Sequence, residues 1–212
     1  MLNQKPSVII WDMGGIMYRF FTELMVEIGG QQGWPLARLP LGPTGPGQDP
    51  FYPAMDQGEM SEPEYLKCVT DALKKEGIEF SPHQDMDFSS GERKQTWGVI
   101  AHLKTAGFRQ ALLTNDATAW LGESWWEKWP YVHLFEQVVD VKTVGVRKPA
   151  PEPYLACVKA LHCEPQECLF IDDMHANCRG AEAVGMDSFW FDICDPEGSM
   201  KKLLSYLGVA PV

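Results

Sequence analysis

Four stretches of the chain carry side chains that could act together on a phosphate group and a metal ion. Asp12 ends one apolar run, Asp172-Asp173 ends another, Thr114-Asn115 follows a third, and Lys148 lies in a Gly- and Pro-containing loop. Carboxylates are ligands for hard divalent cations such as Mg²⁺. An ammonium, a hydroxyl and backbone N–H groups together bind phosphate. The chemistry depends on whether the fold brings these groups to one place.

The run Val8-Ile9-Ile10-Trp11 has strand length, and Gly14-Gly15 follows it closely. A short apolar run bounded by turn residues predicts a buried strand. Further strands are predicted at 110–114, 137–141, 168–172 and 188–191, and predicted helices alternate with the later ones. This pattern indicates an α/β fold with a Rossmann-like parallel sheet, whose strands end at one common edge. Taken alone, Asp12 could equally be a turn residue after a strand.

Between the first two predicted strands lies a long segment of different composition. Residues 29–53 are rich in Gly and Pro, which predicts an irregular loop. Ser61 followed by Glu64 is typical of a capping box at the start of a helix. We therefore expect a core formed by residues 1–17 and 91–212, with a small α-helical cap domain at 18–90.

In these residues the chain resembles the haloacid dehalogenase-like hydrolase superfamily, in the branch whose helical cap is inserted after the first strand. The resemblance covers nearly the whole chain. Its four motifs occur in order, and each alone is a weak signal. They are Asp12, Thr114 with Asn115, Lys148 in an Arg-Lys-Pro context, and Asp172-Asp173 with Asn177.

The resemblance implies that Asp12 is a nucleophile that forms an aspartyl-phosphate. It implies Mg²⁺ as cofactor, held by Asp12, the backbone carbonyl of Gly14, and Asp173, which precedes Asn177 by the spacing of the family. The remaining implied roles are phosphate and substrate binding by Thr114, Asn115 and Lys148, catalysis by Thr114 and Lys148, and support of the metal ligands by Asp172 and Asn177.

Gly14 departs from the pattern, because phosphatases of this superfamily usually carry a second Asp there as general acid and base. Such a group contributes roughly 10²–10⁴ in rate. Its place could be taken by another residue, for which Tyr18, Asp116 and His175 are candidates by nearness in sequence, or the substrate could have a good leaving group. The main hypothesis is a Mg²⁺-dependent phosphatase of a small phosphorylated metabolite. The alternatives are a metal-free 2-haloacid dehalogenase and a catalytically impaired member that binds a phosphorylated ligand or a protein.

The composition limits the partners. The 212 residues carry a net charge of −11, which argues against a nucleic-acid binder. We expect no membrane association, a cytoplasmic location, reduced cysteines, and a monomer or homodimer. A zinc site of Cys163, Cys168, His175 and Cys178 is not expected from their spacing, and we expect core packing for Trp125, Trp126 and Trp129.

Overall fold

The computed structural model describes residues 5–211 and contains a five-stranded sheet in which all neighbouring strands are parallel. This confirms the predicted α/β class with a Rossmann-like core. The strand order is β3-β2-β1-β4-β5, which places the first strand at the centre. The strands are β1 Val8–Trp11, β2 Arg109–Thr114, β3 Gln137–Asp140, β4 Cys168–Asp172 and β5 Asp187–Trp190.

The helices lie between and after these strands, and five short 3₁₀ turns join some of them in the described part of the chain. None of the helices within residues 5–211 is long and apolar enough to cross a membrane. The helices are α1 Phe21–Gln32, α2 Tyr52–Asp56, α3 Glu62–Lys75, α4 Pro82–Asp85, α5 Lys94–Thr105, α6 Ala117–Leu121, α7 Val141–Val144, α8 Pro151–Leu161, α9 His175–Ala183 and α10 Pro196–Leu207.

Both faces of the central strand are buried, as an uninterrupted apolar run predicts. Val8 and Ile10 belong to a core cluster that contains Tyr154 of α8. Ile9 and Trp11 face the opposite cluster, which includes apolar side chains of α5 and α10. Helices therefore cover the sheet on both faces and leave its carboxyl edge for the site.

Residues 18–90, here called the cap segment, contain α1 to α4 and no strand of the sheet in the described chain. Its buried side chains, such as Met55 and Tyr65, belong to the same apolar cluster as Trp11. The division into a core and a cap domain stays a prediction. The capping box at the start of α3 is present, since Ser61 Oγ accepts from Glu64 N and Glu64 Oε2 accepts from Ser61 N.

The expectation of an irregular loop throughout residues 29–53 is wrong at both ends. Helix α1 continues to Gln32, and α2 begins at Tyr52 with Pro53 in its first turn, where a missing N–H costs little. Gly29 is needed inside α1, because a Cβ there would lie 2.7 Å from the Trp34 ring. Tertiary packing against Trp34 outweighs the poor helix propensity of glycine.

Candidate active site

The ends of β1 and β4 bring the predicted acidic residues together. Asp12 follows β1 directly, and its N–H donates to Ile171 O at 2.9 Å, which fixes the exit of the strand. Asp172 is the last residue of β4, and Asp173 follows it. Oxygens of Asp12, Asp172 and Asp173 all lie within 4.8 Å of one another. Three buried carboxylates at this distance repel each other unless cations or protons compensate them.

Lys148 supplies one compensating charge from the loop that leads into α8. Its Nζ donates to Asp12 Oδ1 at 2.8 Å, to Asp172 Oδ2 at 2.8 Å and to Leu113 O at 2.9 Å. An ammonium has three hydrogens, so every one of them has an acceptor. Burial opposes the positive charge, but the carboxylates of Asp12 and Asp172 outweigh it and hold the pKa of Lys148 above its ordinary value.

The environment of Asp12 favours its protonated form more than water does. Burial is the largest cause, the charge of Asp172 adds to it, and Lys148 opposes it, with the result that the pKa of Asp12 is raised to about 7. A further cation beside Asp12 would lower that pKa and favour the carboxylate, which is the nucleophilic form.

Asp172 and Asp173 differ sharply in their hydrogen bonds. Asp172 is fully buried, and its oxygens accept from Lys148 Nζ, from Met174 N at 2.9 Å, and from Asn177 Nδ2 at 3.0 and 3.1 Å. Asp173 Oδ2 is buried and has no hydrogen-bond partner. Burial, Asp172 and Asp12 together raise the pKa of Asp173 well above its ordinary value. Asp173 is therefore the carboxylate with an oxygen free for a ligand.

The spacing to Asn177 favoured Asp173 as the metal ligand, and it implied no particular contact. Asn177 donates to both oxygens of Asp172. Asn177 thus orients Asp172, which in turn holds Lys148 beside Asp12. The choice of Asp173 over Asp172 as metal ligand rests instead on the free Oδ2, and its role stays a prediction.

Gly14 and Gly15, which follow Asp12 and Met13, differ in the space that a side chain would find. Gly15 has φ +69°, and a Cβ at this position would lie 2.5 Å from Asp173 Oδ2, so glycine is required for Asp173 to occupy its place. A Cβ on Gly14 would meet no heavy atom within 4 Å. Gly14 lines the cavity beside Asp12, and its role as a carbonyl ligand stays a prediction.

Thr114 and Asn115, at the end of β2, lie beside the same carboxylates. Thr114 is buried and lines the cavity. Asn115 Oδ1 accepts from the backbone N of Lys148 at 2.9 Å, and its Nδ2 donates to the backbone O of Lys148 at 3.2 Å. The side-chain amide of Asn115 therefore fixes the loop that carries Lys148. Asn115 also lines the cavity, and its role in substrate binding stays a prediction.

A cavity of about 270 Å³ opens over these residues. Asp12, Lys148 and Asp173 line it together with the charged residues Glu62, Asp116 and Arg147. Much of the remaining wall is apolar and aromatic, which is typical of small-molecule sites. The large apolar side chains of this wall include Phe20, Phe21, Met55, Met60 and Phe88 of the cap segment and Trp120 of α6.

Of the three residues proposed to replace the carboxylate missing at Gly14, Asp116 alone is among the cavity-lining groups of the described chain. Tyr18 OH accepts from Trp129 Nε1 at 3.0 Å and lines a different depression. His175 Nδ1 lies 2.9 Å from Asp56 Oδ2. The sequence reasoning missed Glu62, although its place as the first residue of a capped helix was visible.

The other expectations concern residues away from this cavity. Trp125 and Trp129 are buried in the apolar cluster and Trp126 packs against it, as expected for core residues. Within residues 5–211, the group of residues that could hold a metal ion consists of Asp12, Asp172 and Asp173. The residues considered for a zinc site do not belong to it.

Comparison with known proteins finds a family model that matches nearly half of the chain. A model described as "haloacid dehalogenase-like hydrolase" matches residues 86–185, which include the motif residues from Thr114 to Asn177. Residues 86–185 of the chain therefore resemble the haloacid dehalogenase-like hydrolases. The fold agrees, since this chain resembles the crystal structure of an L-2-haloacid dehalogenase with a TM-score of 0.65 at 18% identity. That match covers 97% of this chain and 100% of the dehalogenase chain.

Two curated relatives of the chain bear different names. Acyl-CoA dehydrogenase family member 10 of Mus musculus is 31% identical over 114 residues, which are 52% of this chain and 10% of that protein. Glyceraldehyde 3-phosphate phosphatase of Pyrococcus abyssi is 30% identical over 97 residues, 44% of this chain and 39% of the phosphatase. The matches thus span less than half the length of these relatives. They support a hydrolase and leave its substrate open.

Proposed function

We propose that this hydrolase is a Mg²⁺-dependent phosphatase of small phosphate esters that works through an aspartyl-phosphate on Asp12. The observation that carries the proposal is the buried, unpartnered Oδ2 of Asp173 within the aspartate cluster. A buried polar atom without a partner costs free energy, and a buried charge costs more. A cation held by Asp173 and Asp12 would remove that cost.

The residues present fit Mg²⁺. Asp12 and Asp173 offer carboxylate oxygens, Gly14 offers a backbone carbonyl at the same edge, and the cavity leaves room for water ligands, which Mg²⁺ usually retains. When bound, Mg²⁺ would neutralise negative charge on the phosphate oxygens and help to orient them.

The chain's own residues supply the two bond-forming steps. In the first, a carboxylate oxygen of Asp12 attacks phosphorus, the ester P–O bond breaks, and the alcohol leaves with a proton. In the second, water attacks the phosphorus of the aspartyl-phosphate, which releases inorganic phosphate and restores Asp12. A covalent intermediate divides one difficult displacement into two easier ones.

Lys148 orients and balances the nucleophile. Its contact with Asp12 Oδ1 fixes the rotation of the carboxylate, and its charge favours the ionised form that attacks. Asp172 and the carbonyl of Leu113 hold the ammonium in place. The hydroxyl of Thr114 and the backbone N–H groups after β2 are then the groups that would bind the phosphate oxygens.

A metal-free dehalogenase is the second candidate. It is favoured by the structural neighbour and by the absence of an acid at Gly14, because a departing halide needs no proton. It leaves Asp173 Oδ2 buried and unpartnered, and for this reason the phosphatase is preferred.

The test measures hydrolysis of p-nitrophenyl phosphate and halide release from 2-chloropropionate, each with Mg²⁺ and with EDTA. We expect phosphate release that requires the divalent cation and is lost in Asp12→Asn. Metal-independent halide release would instead establish the dehalogenase. Thermal stabilisation by inorganic phosphate without turnover of either compound would indicate a member that binds and does not catalyse.

A further inference from the structure

An alkyl phosphate cannot release its alcohol quickly unless a group beside the ester oxygen donates a proton. The inference below rests on the proposed phosphatase function, and concerns which residue donates that proton. Gly14 carries no side chain, and the three hydrogens of Lys148 are all engaged. A guanidinium such as that of Arg147 does not give up its proton in a protein. Asp12 is the nucleophile, and Asp173 is the proposed metal ligand.

The remaining acids of the cavity wall are Glu62 and Asp116, and they touch each other. Glu62, the first residue of α3, is in hydrogen-bond contact with the side chain of Asp116, which precedes α6. Two carboxyl groups in such contact share one proton, because both cannot ionise cheaply. The pair joins the cap segment to the strand-end loops across the cavity.

The neighbouring groups decide which of the two keeps the proton. Arg147 Nη2 forms an ion pair with Asp116 Oδ2, which favours the ionised form of Asp116. Trp120 Nε1 donates to Glu62 Oε1 at 3.2 Å and fixes that oxygen. The proton therefore belongs to Glu62, which lines the same cavity as Asp12.

The electrostatic environment of Glu62 acts in the same direction. Burial of the carboxyl is the largest cause and the charge of Asp116 the next, and together they raise the pKa of Glu62 well above its ordinary value against the opposing charge of Arg147. His83 of α4 stacks on Trp120 with ring centroids 4.1 Å apart, and burial lowers the pKa of its imidazole. The imidazole therefore adds little positive charge near the pair.

We propose that Glu62 is the catalytic acid and base of this hydrolase, supplied by the cap segment in place of a side chain at position 14. As the ester P–O bond breaks, the carboxyl proton of Glu62 passes to the leaving alcohol oxygen, and Glu62 becomes a carboxylate. In the second step this carboxylate takes a proton from the attacking water, while the bond between Asp12 and phosphorus breaks.

The test compares Glu62→Gln with the wild type on an alkyl phosphate and on p-nitrophenyl phosphate. Gln has the same shape but cannot donate an acidic proton, so we expect kcat to fall about 100-fold on the alkyl ester. We expect kcat to fall less than about 10-fold on the nitrophenyl ester, because its leaving group needs no proton. Glu59→Gln is the matched control, because Glu59 lies three positions earlier in the chain and is exposed.

The pH profile supplies a second readout that a purely structural role would not move. The alkaline limb of kcat for the alkyl ester should disappear in Glu62→Gln. In Asp116→Asn it should move to lower pH, because the neighbouring negative charge is removed and Arg147 then faces Glu62 directly. The second variant keeps the proposal testable where Glu62→Gln does not fold.

Three outcomes overturn the role of Glu62 while the phosphatase proposal stands. These are equal losses on both esters in Glu62→Gln, an unchanged rate on the alkyl ester, or an alkaline limb that does not move in Asp116→Asn. A wild-type chain that hydrolyses neither ester with Mg²⁺ refutes the proposed function, and the role of Glu62 is then refuted with it.

Discussion

Asp173→Asn should stabilise the metal-free protein and remove its response to Mg²⁺. The reason is the buried Asp173 Oδ2, which has no hydrogen-bond partner and lies in a cluster with the carboxylates of Asp12 and Asp172. An amide at this place removes a charge and offers an N–H donor to the neighbouring carboxylates. An unsatisfied buried polar group costs about 1–3 kcal/mol, and we expect the free energy of unfolding in EDTA to rise by about that amount.

The assay is thermal unfolding with EDTA and with a series of Mg²⁺ concentrations. A gain of about 1–3 kcal/mol corresponds to roughly 2–4 °C in Tm per kcal/mol for a domain of this size. In the wild type, Mg²⁺ at about 100 times its Kd should add about 2.7 kcal/mol. In Asp173→Asn this increment should vanish at the same concentration.

Asp172→Asn is the matched control, because it makes the same chemical change one residue earlier. Asp172 accepts from Lys148, from Met174 N and from Asn177. Removing one partner of a buried ion pair costs about 3–5 kcal/mol, so this variant should lose stability in EDTA. The reasoning is refuted if Asp173→Asn is the less stable variant, or if it keeps the full Mg²⁺ increment.

Three further predictions concern the residues after β1. Asp12→Asn should abolish turnover while the protein stays folded, because an amide is a poor nucleophile; comparable kcat values with unchanged circular dichroism would contradict this. Gly14→Asp should fold, since a Cβ there meets no atom within 4 Å, and when it is combined with Glu62→Gln it should raise kcat for alkyl more than for nitrophenyl phosphates; a changed rate with an unchanged ratio would assign the limit to the hydrolysis step. Because the fold raises the pKa of Asp12 from 3.8 to about 7, folding favours the protonated form. The stabilisation is thus present below about pH 4 and lost as pH rises through 7. In EDTA the Tm of the wild type should therefore fall relative to Asp12→Asn across this window, and parallel curves would show that Asp12 is not perturbed.

The strands were predictable because their signal is local. The runs before Asp12 and Asp172 are apolar on both faces, and this pattern by itself specifies a buried parallel strand. Parallel pairing then brings their ends to one edge, so the approach of these two residues follows from the sequence without knowledge of any side-chain contact.

The partners of each polar group were not predictable, because they depend on rotamers and loop paths. Asn177 is five residues from Asp172 and four from Asp173, and spacing alone does not say which carboxylate accepts its protons. Asn115 is equally free, from the sequence, to contact a substrate or the backbone of Lys148. In the structure it contacts the backbone of Lys148, and a substrate contact stays a prediction.

Glu62 shows the same limit more clearly. In the sequence it is the first acid of a capped helix, and a carboxylate at that place is fully explained by the positive end of the helix dipole. The signal that distinguishes it is its contact with Asp116, which lies 54 residues later in the chain and on a different element. The missing carboxylate at position 14 can be recognised from Gly14 alone. The proposed replacement, Glu62 beside Asp116, involves two segments that meet only in the folded chain. A sequence that lacks a side chain at a motif position therefore does not establish that the corresponding chemistry is lost.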